Sequence, residues 1–164
     1  MGQMAKEPTI RPTVRVLMLD EHDRVLLFRG LDPSKPDIRF WFPTGGGIEE
    51  DETPEDAARR EVMEETGLKD FVLGPHIWNR RHVFTFYGKE QDVREVWFFA
   101  RVPNFEIDTS GFTEIERRVL KEHRWWSLRE LEATDDVLTP RALAKFLREI
   151  LKHGLPKEPI TVPV

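Results

Sequence analysis

Residues 46–68 read Gly46-Gly47-Ile48-Glu49-Glu50-Asp51-Glu52-Thr53-Pro54-Glu55-Asp56-Ala57-Ala58-Arg59-Arg60-Glu61-Val62-Met63-Glu64-Glu65-Thr66-Gly67-Leu68. The stretch marks its own boundaries. Thr53 is a good helix N-cap, Pro54 suits the first helical position, and Asp56 stands at capping-box distance in place of the preferred Glu. Gly67 accepts the left-handed conformation that ends a helix. The spacing predicts a helix from Pro54 to about Thr66. On it Glu61 and Glu65 are four apart and Glu64 is three from Glu61, so all three project from one side. Ala58 and Val62 mark the neighbouring apolar side.

Like charges at this spacing repel, by roughly 0.2–0.5 kcal/mol per pair. Arg60, four residues before Glu64, relieves part of that. A carboxylate cluster gathered against its own repulsion makes sense when a cation holds it, and oxygen donors without His or Cys favour Mg²⁺ or Mn²⁺ over zinc. A solvated Glu-rich face is the plainer reading of three glutamates alone. Gly45-Gly46-Gly47 just upstream favours a site: it reads as a turn with more glycine than a turn needs, so bare backbone, including a carbonyl, can approach the carboxylates.

The charge distribution agrees. The chain carries 30 Asp+Glu against 25 Lys+Arg, a net −5, but residues 49–65 hold nine acids and two bases, leaving 21 acids and 23 bases elsewhere. The acidity is one segment on a slightly basic body. There are no cysteines, which excludes disulfides, thiolate zinc and cysteine nucleophiles and fits a reducing cytoplasm. No apolar run is long enough for a membrane span, and the N-terminal residues lack a signal peptide's apolar stretch.

Working outward, Thr13–Leu19 and Val25–Phe28 around Asp20-Glu21-His22-Asp23 read as a hairpin. Leu31–Arg39 reads as a loop and Phe40-Trp41-Phe42 as a short strand. Beyond the helix, two or three strands are expected, over Phe71–Leu73, Trp78–Tyr87 and Val93–Val102. A short helix is expected at Thr113–Glu122, a strand at Arg124–Leu128, and a closing helix from Thr139-Pro140 to before Gly154. Leu143, Phe146, Leu147, Ile150 and Leu151 form the core stripe of that helix. The pattern predicts one α/β domain over residues 1–164, a mixed central sheet with helices on both faces. Residues 1–10 and the Pro-containing 155–164 are expected as loosely held ends.

Gly46, Glu52, Arg60, Glu61, Val62, Glu64, Glu65, Gly67 and Leu68 fall at the fixed positions of G-x5-E-x7-R-E-U-x-E-E-x-G-U, where U is a bulky aliphatic residue. This resembles the Nudix box in full, and the chain is identified as a member of the Nudix superfamily. The resemblance implies a Nudix-type α/β/α sandwich and metal-dependent hydrolysis of a nucleoside diphosphate linked to another moiety. It implies Glu61 and Glu65 as main metal ligands, Glu64 as a further one, Glu52 in the outer part of the site, Arg60 as the residue orienting the carboxylates, and the Gly45 carbonyl as a metal contact. Thr44 stands where many members have proline, and Asp51 where many have glycine. Asp tolerates unusual turn conformations.

In such a reaction Mg²⁺, with Mn²⁺ able to substitute, neutralises the diphosphate and acidifies water. A glutamate takes the proton. Glu61 leads within the box; Glu114, Glu116 and Glu122 are later-loop alternatives, with Glu116 ranked first. Arg80 and His82 alternate onto one strand face and, with Arg94 on the next strand, are candidate substrate contacts. A base-stacking residue is expected among Trp41, Phe42, Trp78, Phe84, Phe86 and Tyr87. The partner is a small nucleoside diphosphate derivative. Nucleic acid is not expected, apart from a capped RNA end, because no basic stripe with interleaved aromatics occurs. Many relatives dimerise, so a homodimer is among the expectations. An isomerase on the same fold would need a cysteine. The remaining alternative is a non-catalytic Nudix-like nucleotide-binding or regulatory module, which usually shows an eroded box.

Overall fold

The computed structural model describes residues 7–31, 35–86 and 88–164. Its elements run β1 (Thr9–Leu19), β2 (Val25–Gly30), β3 (Phe40–Phe42), β4 (Thr44–Gly47), α1 (Pro54–Thr66), β5 (His76–Phe86), β6 (Lys89–Arg101), α2 (Glu114–Val119), β7 (Leu120–Trp126), α3 (Leu128–Ala133), β8 (Val137–Leu138), α4 (Leu143–His153) and β9 (Ile160–Thr161).

β1 is the centre of the sheet. It runs parallel to β6 from Thr9↔Gln91 to Leu19↔Arg101. It is antiparallel to β2 at Leu19↔Val25 and to β4 from Thr13↔Gly47 to Val16↔Thr44. The mixed sheet has the order β8-β3-β2-β1-β6-β5-β9, with β4 on β1 and β7 on β2. Because strand side chains alternate, each central strand serves two cores. Val14, Val16, Met18, Leu26, Phe28 and Phe98 pack with Ala57, Ala58 and Val62 of α1. Leu17, Leu19, Leu27 and Trp97 pack with Leu131 of α3 and Leu143, Leu147 and Ile150 of α4. This is the expected α/β/α sandwich.

α1 forms as its sequence dictates. The Thr53 side chain accepts from the Asp56 N–H, Pro54 opens the first turn, and Gly67 closes the helix at φ 78° with its N–H on the Met63 carbonyl. Asp51, before the helix, takes φ 67°.

Several expectations are corrected. Gly45-Gly46-Gly47 is no turn but part of β4, because β1 supplies ladder partners. Residues 71–73 form no strand: Phe71 and Leu73 turn inward while Val72 is 81% exposed, so the alternation is real, but among the described residues no strand pairs with them. α4 starts at Leu143 rather than Pro140, since the Thr139 N–H is held by the Trp41 carbonyl, extending the β3–β8 pairing. Leu128 opens α3, capped by a full Ser127/Glu130 capping box, instead of ending a strand.

Strand pairing reaches into both terminal segments, at residues 9–10 and 160–161. Thr9 and Ile10 already pair with β6. β9 pairs with β5, the Val162 N–H donates to Asn79, and Val162 is buried in the core. No helix among the described residues is long and apolar enough to cross a membrane.

Candidate active site

The site forms where α1 lies against the glycine strand. Gly46 faces the Glu61 carboxylate so closely that a Cβ there would stand 2.8 Å from the Glu61 carboxyl carbon. One residue back, the Gly45 N–H donates to Glu65 Oε1 at 3.2 Å. The two glycines set the depth of two buried carboxylates that are one helical turn apart.

Arg60 ties the box together. Its Nε and Nη2 bond both oxygens of Glu52 at 2.8 and 2.9 Å, Nη1 reaches Glu61 at 2.9 Å and Glu64 at 3.4 Å, and Nη2 also donates to the Gly47 carbonyl at 2.9 Å. Planar guanidinium geometry permits this fork, and lysine's point charge does not. The Arg60 hydrogen bonds, joined by the Glu49 N–H, hold the Glu52 carboxyl down at about 2. Glu64 shifts the other way, through burial and then the neighbouring Glu61 charge. Glu65 lies well above the ordinary range because of burial, its hydrogen bond with Glu61 and the Glu61 charge.

The loop of residues 103–113 brings in a distant glutamate. The Asp108 N–H caps the α1 end by donating to the Thr66 carbonyl at 2.9 Å. Gly111 sits so near the helix that a Cβ would be 2.8 Å from the Glu64 carbonyl oxygen. The following Thr113 N–H donates to Glu116 Oε1 at 3.0 Å, and the Glu116 N–H returns to the Thr113 hydroxyl. As a result carboxylate oxygens of Glu61, Glu65 and Glu116 lie within 4.8 Å of one another.

Three converging oxygens, two from buried residues, fit a hard divalent cation. The raised Glu65 carboxyl fits as well, because such a cluster must share either a proton or a cation. Glu116, ranked first among the later-loop candidates, joins this cluster. Glu52 and Glu64 instead gather around Arg60. Glu122 is elsewhere, ion-paired to Arg29 at 2.9 Å.

The basic candidates do not join the glutamates. Arg80 and His82 share one face as expected, and Arg81 turns to the other. Arg80 is buried, 2.9 Å from Glu95. His82 lies beside Phe84 with the two rings tilted, and is pushed down by burial and the Arg80 charge. Arg94 joins Arg81 on Asp92, at 3.2 and 2.8 Å. Trp41 and Trp78 are core residues, Phe42 lies over Gly30, and Tyr87 falls outside the described residues. Arg15, missed in the sequence because it interrupts an apolar run, lies across Gly45. Its signal was a charge in mid-strand.

A mixed sheet between two helical layers, with a glycine strand and a glutamate helix gathered around one arginine, defines the Nudix domain. The model of the NUDIX domain family matches residues 9–151. The chain belongs to that family and is a Nudix hydrolase, an enzyme of the pyrophosphohydrolase class. It is 32% identical over 158 residues to an RNA pyrophosphohydrolase of Caulobacter vibrioides, covering 87% of this chain and 82% of that one. It is 43% identical over 127 residues to the chloroplastic Nudix hydrolase 19 of Arabidopsis thaliana, 76% of this chain but 26% of that longer protein. The MutT protein of Methanosarcina mazei Go1 superposes with TM-score 0.65 at 22% identity, over 94% of this chain and all of the other, a likeness of fold.

Proposed function

We propose that the chain hydrolyses the diphosphate bond of a nucleoside diphosphate linked to another moiety, using Mg²⁺, with Mn²⁺ as a substitute. The observation that carries this is the convergence of Glu61, Glu65 and Glu116 within 4.8 Å beside bare glycine backbone. These three carboxylates would hold the cation. The bound ion supplies charge neutralisation for the diphosphate and acidifies the attacking water.

The protein's own part is positioning. Gly46 and Gly45 fix Glu61 and Glu65, and Arg60 holds Glu52 and steadies Glu61 and Glu64. Burial between Gly46 and Arg60 suits Glu61 to ligation rather than proton transfer. Glu64, more open and with its carboxyl raised by burial and by the Glu61 charge, is assigned as the proton acceptor. Arg80 and His82 lie on the sheet face away from α1, where Arg80 is engaged by Glu95, and Arg94, engaged by Asp92, is assigned to the outer surface. The cysteine-free composition supports a cytoplasmic enzyme.

One observation favours a particular moiety. The Caulobacter relative is named an RNA pyrophosphohydrolase, which makes a phosphorylated or capped RNA 5′ end the second substrate reading. Product detection by mass spectrometry across nucleoside diphosphate derivatives and 5′-triphosphate and capped RNA oligonucleotides, with Mg²⁺ or EDTA, tests both. Turnover with Mg²⁺ that is lost in EDTA and in Glu61→Gln and Glu65→Gln is expected. No turnover on any substrate sinks the reading.

A further inference from the structure

Among the described residues, five buried side-chain atoms have no hydrogen-bond partner: Nε of Arg15, Arg29 and Arg80, Nε1 of Trp126 and Oγ1 of Thr44. The three arginines are nevertheless ion-paired, Arg15 and Arg80 with Glu95 at 3.6 and 2.9 Å, and Arg29 with Glu122 at 2.9 Å. Trp126 stands edge-on to Trp41 in the core beneath α3 and α4. Thr44 is the exception. Its hydroxyl is wholly enclosed, with the residue 0% exposed, and it belongs to the strand that lines the glutamate site.

The register of β4 places that hydroxyl. Thr44 pairs with Val16, which packs in the core on the α1 side. Strand alternation puts Thr44 on the same face as Gly46, where the missing Cβ meets Glu61. The contacts between strand and helix advance together: Gly46 meets Glu61, and Gly45, one residue earlier, holds Glu65, one turn later. Strand and helix therefore run in opposite senses, and Thr44 stands abreast of Glu65. Glu65 is also buried, and its carboxylate belongs to the cluster with Glu61 and Glu116. A buried hydroxyl without a partner is costly, and valine would fill the same space without that cost. Beside a cation site the group has a use. Hard divalent ions give up their waters reluctantly, and three carboxylates leave part of the ion's shell to water.

We propose that Thr44 is a positioning residue of the metal site, whose hydroxyl hydrogen-bonds the hydration water of the cation held by Glu61, Glu65 and Glu116. The hydroxyl is unsatisfied in the metal-free fold and satisfied when the ion arrives with its water. Thr44 thereby trades stability of the empty protein for affinity. The inference rests on the metal reading of the glutamate cluster, but its test needs no turnover.

Thermal melting of the metal-stripped protein and calorimetric titration with Mn²⁺ test it together. Thr44→Val keeps the shape and removes the hydroxyl. It is expected to raise the melting point of the metal-free protein by about 2–4 °C. It is also expected to weaken Mn²⁺ about tenfold, the low end for loss of an outer contact at a metal site. The opposite signs are the signature. A hydroxyl that served only the fold would lower the melting point on removal, and one that served nothing would leave the affinity alone. Thr44→Ser keeps the hydroxyl and should bind Mn²⁺ within about threefold of wild type. A Thr44→Val protein that fails to fold, melts lower without metal, or binds Mn²⁺ within about threefold of wild type overturns the proposal and leaves the glutamate site standing. A serine variant as weak as the valine one overturns it too. Absence of Mn²⁺ binding by the wild type overturns both the proposal and the metal reading beneath it.

Discussion

The Glu61 carboxylate occupies the space that a side chain on Gly46 would need, with its carboxyl carbon 2.8 Å from the place of the missing Cβ. The backbone at Gly46 is not in the left-handed region, and the three atoms nearest the missing Cβ all belong to the Glu61 carboxylate, so alanine there meets Glu61 first. Gly46→Ala should therefore displace the Glu61 carboxylate while leaving the strand intact. Displacement by about 1 Å costs roughly 100-fold in rate. We expect kcat to fall on that scale with the thermal midpoint nearly unchanged; a large loss of stability with little loss of kcat would contradict it.

Arg60 makes a different prediction, because its work is geometric. Arg60→Lys keeps the charge but cannot bond both Glu52 oxygens while reaching Glu61, Glu64 and the Gly47 carbonyl. Loss of such outer contacts typically costs 10- to 100-fold in metal affinity or activity. The guanidinium is partly exposed, so the stability cost should stay near or below about 1 kcal/mol. Steady-state kinetics beside denaturant unfolding separates the two. Equal activity of the lysine variant would show that charge suffices.

Glu116 enters the cluster from outside the glutamate helix, so its removal should act on cation affinity. Glu116→Gln is expected to weaken Mn²⁺ binding, measured by calorimetry, by about tenfold, the cost of one lost carboxylate contact. Ile115→Ser, at an exposed position on the same short helix, should leave it unchanged. EDTA should abolish turnover in every variant, and added Mg²⁺ should restore it.

Asp92 tests the acid side of stability. Hydrogen bonds from Arg81 and then Arg94 hold its carboxyl at about 2, below its ordinary 3.8. A depressed carboxyl stabilises the fold above its unfolded value and loses that contribution as pH falls through the folded one. The stability difference between wild type and Asp92→Asn should therefore be full above about pH 4 and shrink between pH 3.8 and about 2. A constant difference across that window would show that the ion pairs are not its source.

Local chemistry made some elements legible and tertiary pairing hid others. α1 could be read to the residue because Thr53, Pro54 and Gly67 act within one turn of themselves. The β1–β2 hairpin was readable for the same reason. β4 was not, since three glycines say turn until β1 supplies a ladder. The Phe71–Leu73 pattern misled in the opposite direction: its alternation reports one buried face, which a loop can also have. α3 was hidden behind the Trp125-Trp126 pair that precedes it, although Ser127 and Glu130 carried its capping signal. The Nudix box gave Glu61, Glu65 and Arg60. Glu116 could be chosen over Glu114 and Glu122 only weakly, because the loop packing that selects it is not local. Arg15 and Glu95 were invisible as a pair, because their register across β1 and β6 exists only in the sheet.

Gly111 against Glu64, and Asp108 on Thr66, clasp a late segment to the end of an early helix. A cation held by Glu61, Glu65 and Glu116 would close the same clasp a second time. Its affinity then belongs partly to folding: any ion that binds the assembled state alone adds RT ln(1 + [L]/Kd) to stability, about 2.7 kcal/mol at a hundredfold excess over Kd. The cell's free Mg²⁺ would in this way set the enzyme's lifetime as well as its rate.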